Sequence, residues 1–166
     1  FRAFKKVWHA IEDVHLLVIG SGNKLHDMKH AIAKESFSKF VTFNGHMPKK
    51  QVNKIFGACD LFAYPGRLDP QPLVILESLA SGTPVVTVDG MGAQDFVDNN
   101  ENGYVCSPTV EDFSEKITEL LRRDSLRMQF SMRSRASARE FRTSNLTSDL
   151  LNSYNSVIER FKNKII

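Results

Sequence analysis

The chain has 166 residues, 42% of them hydrophobic, and a formal charge of +3. That length suits one packed domain of ordinary size, and so small a net charge gives no ground for a nucleic-acid partner. No run of about 18 apolar residues occurs, which excludes a membrane-spanning helix from this sequence.

Phe1, Phe4, Trp8 and Ile11 recur at helical spacing, and Val14-His15-Leu16-Leu17-Val18-Ile19 then forms a short apolar run that ends at Gly20-Ser21-Gly22. This reads as a helix followed by a buried strand. The alternation repeats with a helix over 24–35, a strand over 39–43, a helix over 49–57 and a strand over 60–64. A helix over 72–81, a strand over 84–88, a short helix over 93–97 and a strand over 103–106 follow. Such repetition predicts an α/β fold, a doubly wound Rossmann-like parallel sheet covered by helices on both faces. From about residue 110 the pattern is helical only. Thr109 is placed to cap a helix whose apolar stripe is Phe113, Ile117, Leu120 and Leu121, and further helices are expected over 124–141 and 146–163. The chain is read as one domain, with a Rossmann-like core over 1–109 and a helical segment over 110–166.

Cys59 and Cys106 lie in apolar surroundings and are expected as core thiols. His26 and His30 are four apart on one helix face but lack partners at ligand-like spacing, so no metal site is expected. Gly20-Ser21-Gly22 follows a strand, yet Leu25 stands where a dinucleotide fingerprint needs its third glycine. No nicotinamide cofactor is implied. Arg122, Arg123, Arg127, Arg133, Arg135, Arg139 and Arg142 share their region with only Asp124 and Glu140 as acids. They form a solvated helix face or a basic surface for anionic lipid headgroups or a partner domain.

The most informative stretch is Arg67-Leu68-Asp69-Pro70-Gln71-Pro72-Leu73-Val74-Ile75-Leu76-Glu77-Ser78-Leu79-Ala80-Ser81-Gly82-Thr83-Pro84-Val85-Val86. Pro72 suits the first turn of a helix, where its fixed φ fits and its missing N–H is no loss. Asp69 then lies in the loop before that helix and Glu77 more than one turn inside it. The amides of Leu73 and Val74 would be free to meet a phosphate. Two carboxylates flanking such a site could hold hydroxyl groups.

This stretch resembles the donor-site signature of the retaining, GT-B-fold glycosyltransferases of family four, the group-one glycosyl transferases. Their pattern is E-x7-E followed by E-A-x-A-x-G-x-P-V-V. Residues 77–86 match its second half, and Asp69 replaces the first glutamate. The resemblance extends to Val18-Ile19-Gly20-Ser21-Gly22, to Val41-Thr42-Phe43-Asn44-Gly45-His46, to 90–97 and to 102–105. It covers about residues 1–141. It implies the C-terminal, nucleotide-sugar-binding half of a GT-B enzyme that transfers a hexosyl unit with retention of configuration. Glu77 would hold the ribose hydroxyls, and Asp69, the catalytic residue, would face the donor sugar and favour developing positive charge. Gln71, Leu73 and Val74 would join the donor-binding set. Gly20 and Gly22 would border the donor cleft or touch the ligand, and Gly45 and His46 would meet the nucleobase, or His46 is an exposed loop residue. Asp95 would cap a helix N-terminus or fix its loop, and Tyr64-Pro65-Gly66 would aim Asp69. Gln71 and Pro72 depart from the family, which has an aromatic or small residue and then glycine there.

No cofactor or metal is implied beyond the nucleotide-diphosphate sugar itself. The resemblance begins inside the first helix, so it implies an opening strand and a V-G-R-L-x-x-x-K-G loop before Phe1, with the arginine and lysine that take the diphosphate. It also implies an N-terminal domain that selects a glycan, lipid or other acceptor. The strand at 14–19 should then not pair directly with the strand at 60–64, because the opening strand would lie between them. A cytoplasmic location is expected, peripheral at a membrane surface if the basic helical region is used. Two other readings stand beside the enzyme: a non-catalytic nucleotide-sugar-binding or scaffold module, and a GT-B-fold nucleotide-sugar epimerase.

Overall fold

The computed structural model describes residues 1–162. In chain order the elements are α1 (Arg2–Ala10), β1 (Leu16–Ile19), α2 (Leu25–Ile32), β2 (Val41–Gly45), α3 (Lys49–Phe56) and β3 (Phe62–Tyr64). They continue with α4 (Leu73–Ser81), β4 (Val85–Val88), β5 (Gly103–Cys106), α5 (Val110–Arg122), α6 (Asp124–Ala138) and α7 (Thr143–Lys162). Every strand pairing is parallel. The strands fall into a pair, β1–β2, and a triplet in the order β3–β4–β5. β1 and β3 are not hydrogen-bonded to each other, as expected.

β4 shows why the sequence reads so clearly. All four of its residues, Val-Val-Thr-Val, are buried, and they alternate between two cores as successive Cβ atoms of a strand must. Val86 and Val88 join Val7, Tyr104, Phe113, Leu120 and Phe130 on one face. Val85 joins Ile75, Leu79, Ala93 and Phe96 on the other. The first core draws on α5 and α6, so residues 110–138 share the interior of 1–109.

A third cluster, Phe4, Ile32 and Phe37, lies under β1 and β2 with Trp8, Phe40 and Phe43 packed against it. Thus α1 serves both sheets: Phe4 faces the pair and Val7 the triplet. At its end the Ala10 carbonyl accepts from Arg122 Nη2 (2.7 Å), fastening α1 to α5. Across the molecule, α3 follows β2 and packs on α4, which follows β3.

The helix ends carry their own chemistry. Thr109 caps α5, accepting from Asp112 N (3.2 Å), while Asp112 Oδ2 accepts from Ser107 N (2.7 Å). The Thr109 cap satisfies one open donor of the helix, and Asp112 ties the segment before the cap to the first turn. α4 ends at Gly82, whose φ of 81° is left-handed, with Gly82 N–H bonded to Leu79 O and Thr83 N–H to Ser78 O. The Gly-Thr-Pro-Val-Val run is therefore structural: Gly82 stops the helix, the Thr83 hydroxyl donates to the Phe56 carbonyl of α3, and the valines begin the buried strand.

Several expectations need correction. α4 begins at Leu73, because Pro72 has a ψ of 77° and stands just outside the helix. α6 ends at Ala138 and α7 starts at Thr143, because an irregular turn joins them. Cys59 is exposed; it sits in the turn before β3, and its apolar sequence neighbours did not reveal that. Cys106 is buried, and burial pushes its thiol up to about 12.

The arginine-rich region is a largely solvated helix face, as one of the two readings had it, and several of its charges are paired within the domain. Arg123 pairs with Glu119 and Arg133 with Glu101. Arg127 pairs with Asp60 and Asp124 and donates to the last carbonyls of α5. Arg135 donates to Ser81 O (3.3 Å) and lies across Gly82. Through Arg127, Arg133 and Arg135, α6 is fastened to the end of α5, the turn before β3, the loop before β5 and the end of α4. α7 differs from the other helices in having no buried residue: Leu146, Leu150, Leu151, Tyr154, Val157, Ile158 and Phe161 are all at least half exposed.

The division of the sheet makes a prediction. β4 is paired on both sides, whereas β1–β2 is an incompletely buried ribbon of a kind that has little stability alone. In native-state hydrogen exchange, amides of β4 should open only with global unfolding, while those of β1 and β2 exchange through a smaller, lower-energy opening. Equal opening energies throughout would show that the helices couple the two sheets into one cooperative unit.

Candidate functional site

In a parallel sheet the carboxyl ends of the strands emerge on one edge, and the turns there are where ligands are met. In this chain that edge carries Gly20 after β1, Gly45 and His46 at the end of β2, the 65–72 loop after β3, and the 89–92 turn after β4. Gly20 N–H donates to Gly45 O (2.8 Å), joining the first two exits. Gly20 and Gly45 have φ of 137° and 66°, a backbone only glycine adopts readily. A Cβ at Gly20, Gly22 or Gly45 would meet nothing within 4 Å. His46 is exposed.

The 65–72 loop is organised around Asp69. The Tyr64 ring folds over Gly66, where a Cβ would lie 2.5 Å from Tyr64 Cζ. This brings the Tyr64 hydroxyl to donate to Asp69 Oδ2 (3.3 Å), while Asp69 Oδ1 accepts from Gln71 N (3.0 Å). The second contact is the aspartate turn in which a side chain imitates a backbone carbonyl. Burial, and then the neighbouring Asp69 carboxylate, hold the Tyr64 hydroxyl above its usual pKa. Tyr64-Pro65-Gly66 thus does aim Asp69. The same contacts also tie both carboxylate oxygens to their own loop.

The start of α4 differs from expectation in one respect. Leu73 N–H is bonded to Gln71 O (2.8 Å), and Ile75 N–H to Pro72 O (2.9 Å). Among the described residues Val74 N–H has no acceptor, and α4 has no side-chain cap. Val74, rather than Leu73, therefore presents the open donor of this helix end. Gln71 is exposed on the loop and contributes its backbone to both neighbouring contacts.

The loop is held from the next strand exit. Met91 N–H donates to Arg67 O (3.0 Å), and Arg67 Nε donates to Asp89 O (3.3 Å). A Cβ on Gly90 would sit 2.7 Å from Arg67 Cα, and one on Gly92 would collide with the Pro70 carbonyl. Gly92 also has a φ of 71°. Sequence reading placed these glycines in a family element without seeing that they let two loops touch. Asp95 makes no side-chain hydrogen bond among the described residues, so the glycines, rather than Asp95, fix this turn.

Glu77 lies on the second turn of α4 with its side chain 27% exposed, and Oε1 is 2.7 Å from Lys49 Nζ at the first turn of α3. Among the described residues its other oxygen has no protein partner. Sequence reading missed Lys49, because the two residues are distant in sequence and no motif links them. The arrangement combines an open amide, a half-occupied carboxylate and an adjacent cation on an edge that is open to solvent. Two clefts indent other faces: one between α1 and α5, lined by Lys6, Glu111 and Arg122, and one beside Gly82, lined by Asp60, Met128 and Arg135. Neither includes Asp69 or Glu77.

Comparison with known proteins gives this edge a context. The sequence pattern that defines glycosyl transferases group 1 matches residues 1–137. The D-inositol 3-phosphate glycosyltransferase of Nocardia farcinica is 32% identical over 145 residues, spanning 86% of this chain and 32% of that protein. The human alpha-1,3/1,6-mannosyltransferase ALG2 is 26% identical over 137 residues, spanning 78% of this chain and 33% of that protein. The chain thus spans about a third of the length of these curated relatives. Among solved structures, Anabaena HepE in complex with UDP and glucose superposes with a TM-score of 0.81 at 18% identity, covering 93% of this chain and 44% of that one. That likeness establishes the fold, the Rossmann-like C-terminal half of a GT-B protein.

Contact between the two loops can be tested by contrast. Gly92→Ala forces a left-handed alanine, worth about 1–2 kcal/mol of strain, and adds the clash with Pro70. Its urea midpoint should fall by at least that equivalent, and the amide resonances of residues 67–72 should shift. Gly22→Ala, with open space and no positive φ, should stay within about 0.5 kcal/mol of the parent. Equal effects of the two substitutions would contradict the described contact.

Proposed function

The chain belongs to the group 1 glycosyl transferases, and from that premise we propose that it is the donor-binding half of a retaining enzyme that transfers a hexosyl unit from a nucleotide-diphosphate sugar. The observation that carries the reading is the juxtaposition, at the carboxyl edge of a parallel sheet, of the open α4 N-terminus with Glu77 just inside the helix and Asp69 just before it. Val74 N–H and the positive end of α4 meet donor phosphate. The free oxygen of Glu77 accepts from the ribose hydroxyls. Asp69, held by Tyr64 and Gln71, faces the sugar and favours positive charge developing at the anomeric carbon. Gly20, Gly22, Gly45 and His46 border the base side, where the absence of side chains at the glycines leaves room for a ligand.

In this account the glycosidic bond to the leaving phosphate breaks as the acceptor hydroxyl attacks from the same face. The departing phosphate oxygen takes the acceptor proton. Donor binding needs no metal, since helix amides and basic residues take the diphosphate charge. The acceptor, a glycan, lipid or other molecule, would be chosen by a domain corresponding to the other two thirds of the relatives. The exposed apolar face of α7 gives that part a surface to pack on. No described helix is long and apolar enough to cross a membrane. Peripheral contact through residues 122–142 would rely on Arg139 and Arg142, because the other arginines there are engaged within the domain. A cytoplasmic or membrane-peripheral location follows from this reading.

A non-catalytic module would share the fold and show no turnover, binding a nucleotide sugar or serving only as a scaffold; an epimerase would bind it and leave the glycosyl bond to any acceptor unmade. Calorimetry and turnover on the full-length protein separate the three. Glu77→Gln should weaken nucleotide-sugar binding by about 1.5–3 kcal/mol, the worth of a charge-assisted contact. Asp69→Asn, which keeps an acceptor for Gln71 N, should lower kcat more than it weakens binding. Unchanged affinity in the first variant removes Glu77 from the site, and unchanged turnover in the second leaves Asp69 as a loop residue. Residues 1–166 alone should show no multiple turnover with any sugar nucleotide.

A further inference from the structure

Lys49 opens α3 directly after Pro48, and the first turn of that helix contains Lys49 and Lys50 but no acid. A cation there opposes the helix dipole. Its partner across the boundary between the two sheets is Glu77, 2.7 Å away. The Lys49 side chain is 72% exposed, and an exposed pair of this kind contributes little to stability. Folding alone therefore gives little reason for the arrangement.

Its geometric effect is larger. The ammonium occupies Glu77 Oε1 and leaves Oε2 open, which selects one orientation of a flexible carboxylate. It also connects two strand exits that share no backbone hydrogen bond: α3 continues from the β2 turn at Gly45 and His46, and α4 continues from the β3 loop at Asp69. A nucleotide bound with its base near the first exit and its diphosphate near the second places its ribose between them, where this pair lies.

We infer that Lys49 is a positioning residue for donor binding, acting through Glu77: it fixes the carboxylate that accepts the ribose hydroxyls and sets the spacing between the base-side and phosphate-side loops. The inference rests on the reading of Glu77 as the ribose acceptor. Lys49 itself touches neither phosphate nor base.

The test is calorimetric titration of the full-length protein with UDP, and with GDP and ADP in parallel, for the parent, Lys49→Met, Lys49→Arg, Glu77→Gln and the Lys49→Met/Glu77→Gln double variant. With the diphosphate that binds best, Lys49→Met should weaken affinity about two- to fivefold, the span of an exposed ion pair's energy, and Lys49→Arg should restore it. In the Glu77→Gln background Lys49→Met should cost nothing further, since its effect passes through that carboxylate. The thermal midpoint of Lys49→Met should stay close to the parent's. A loss that persists undiminished in the Glu77→Gln background would show direct contact with the ligand and overturn the positioning role. Parent-like affinity of Lys49→Met beside a weakened Glu77→Gln would overturn the inference alone. Parent-like affinity of Glu77→Gln, or a parent that binds none of the three diphosphates, would overturn the reading of Glu77 and the inference with it.

Discussion

Two sheets that share no backbone hydrogen bond must be held together by side chains, and the geometry of the candidate site depends on how that is done. One tie is α1, which sends Phe4 to the β1–β2 pair and Val7 to the β3–β4–β5 triplet and is fastened to α5 through Arg122. The other is the packing of α3 on α4. It is closed at one end by the Thr83 hydroxyl on Phe56 O and at the other by Lys49 on Glu77. The second tie ends in the carboxylate that the family resemblance assigns to the ribose. The tie between the two sheets and the carboxylate of the proposed donor site therefore share one ion pair.

The 65–72 loop follows the same logic at shorter range. It is long enough to be mobile, yet its path is determined by contacts that leave no space for side chains at Gly66, Gly90 and Gly92. Tyr64 reaches over Gly66 to Asp69, and Arg67 binds the turn after β4. A side chain whose freedom has already been removed holds one orientation without further ordering cost. Asp69 has been restrained in this way, with an aspartate turn fixing one oxygen and a tyrosine hydroxyl the other.

Much of this was legible in the sequence where a local rule governs. The apolar run at 85–88 became a fully buried strand, Thr109 became a cap, and Tyr64-Pro65-Gly66 became the exit that directs Asp69. What was not legible depends on contacts between distant segments. Nothing in the sequence links Lys49 to Glu77, or Gly92 to Pro70. Charge counting suggested a basic face over 122–142, but it cannot register that Asp60, Glu101, Glu119 and the carbonyls of Ala10 and Ser81 receive those arginines. Cys59 was misread because apolar neighbours in sequence do not say which side of a turn a thiol occupies. Leu73 was misread because the ψ of Pro72 bends its amide back onto Gln71, which leaves Val74 as the open donor. On α7 the helical spacing of apolar residues predicted the helix correctly, yet the face it forms is not buried within residues 1–162.

The central claim is that Glu77 and the start of α4 hold the ribose and diphosphate of a nucleotide donor. A crystal structure of the full-length protein with bound UDP, or with GDP if that binds better, tests it most directly. The account predicts ribose hydroxyls within hydrogen-bond distance of Glu77 Oε2, with Lys49 still on Oε1, and a phosphate oxygen accepting from Val74 N–H. A nucleotide seated away from both, for example in the groove between α1 and α5, would contradict it.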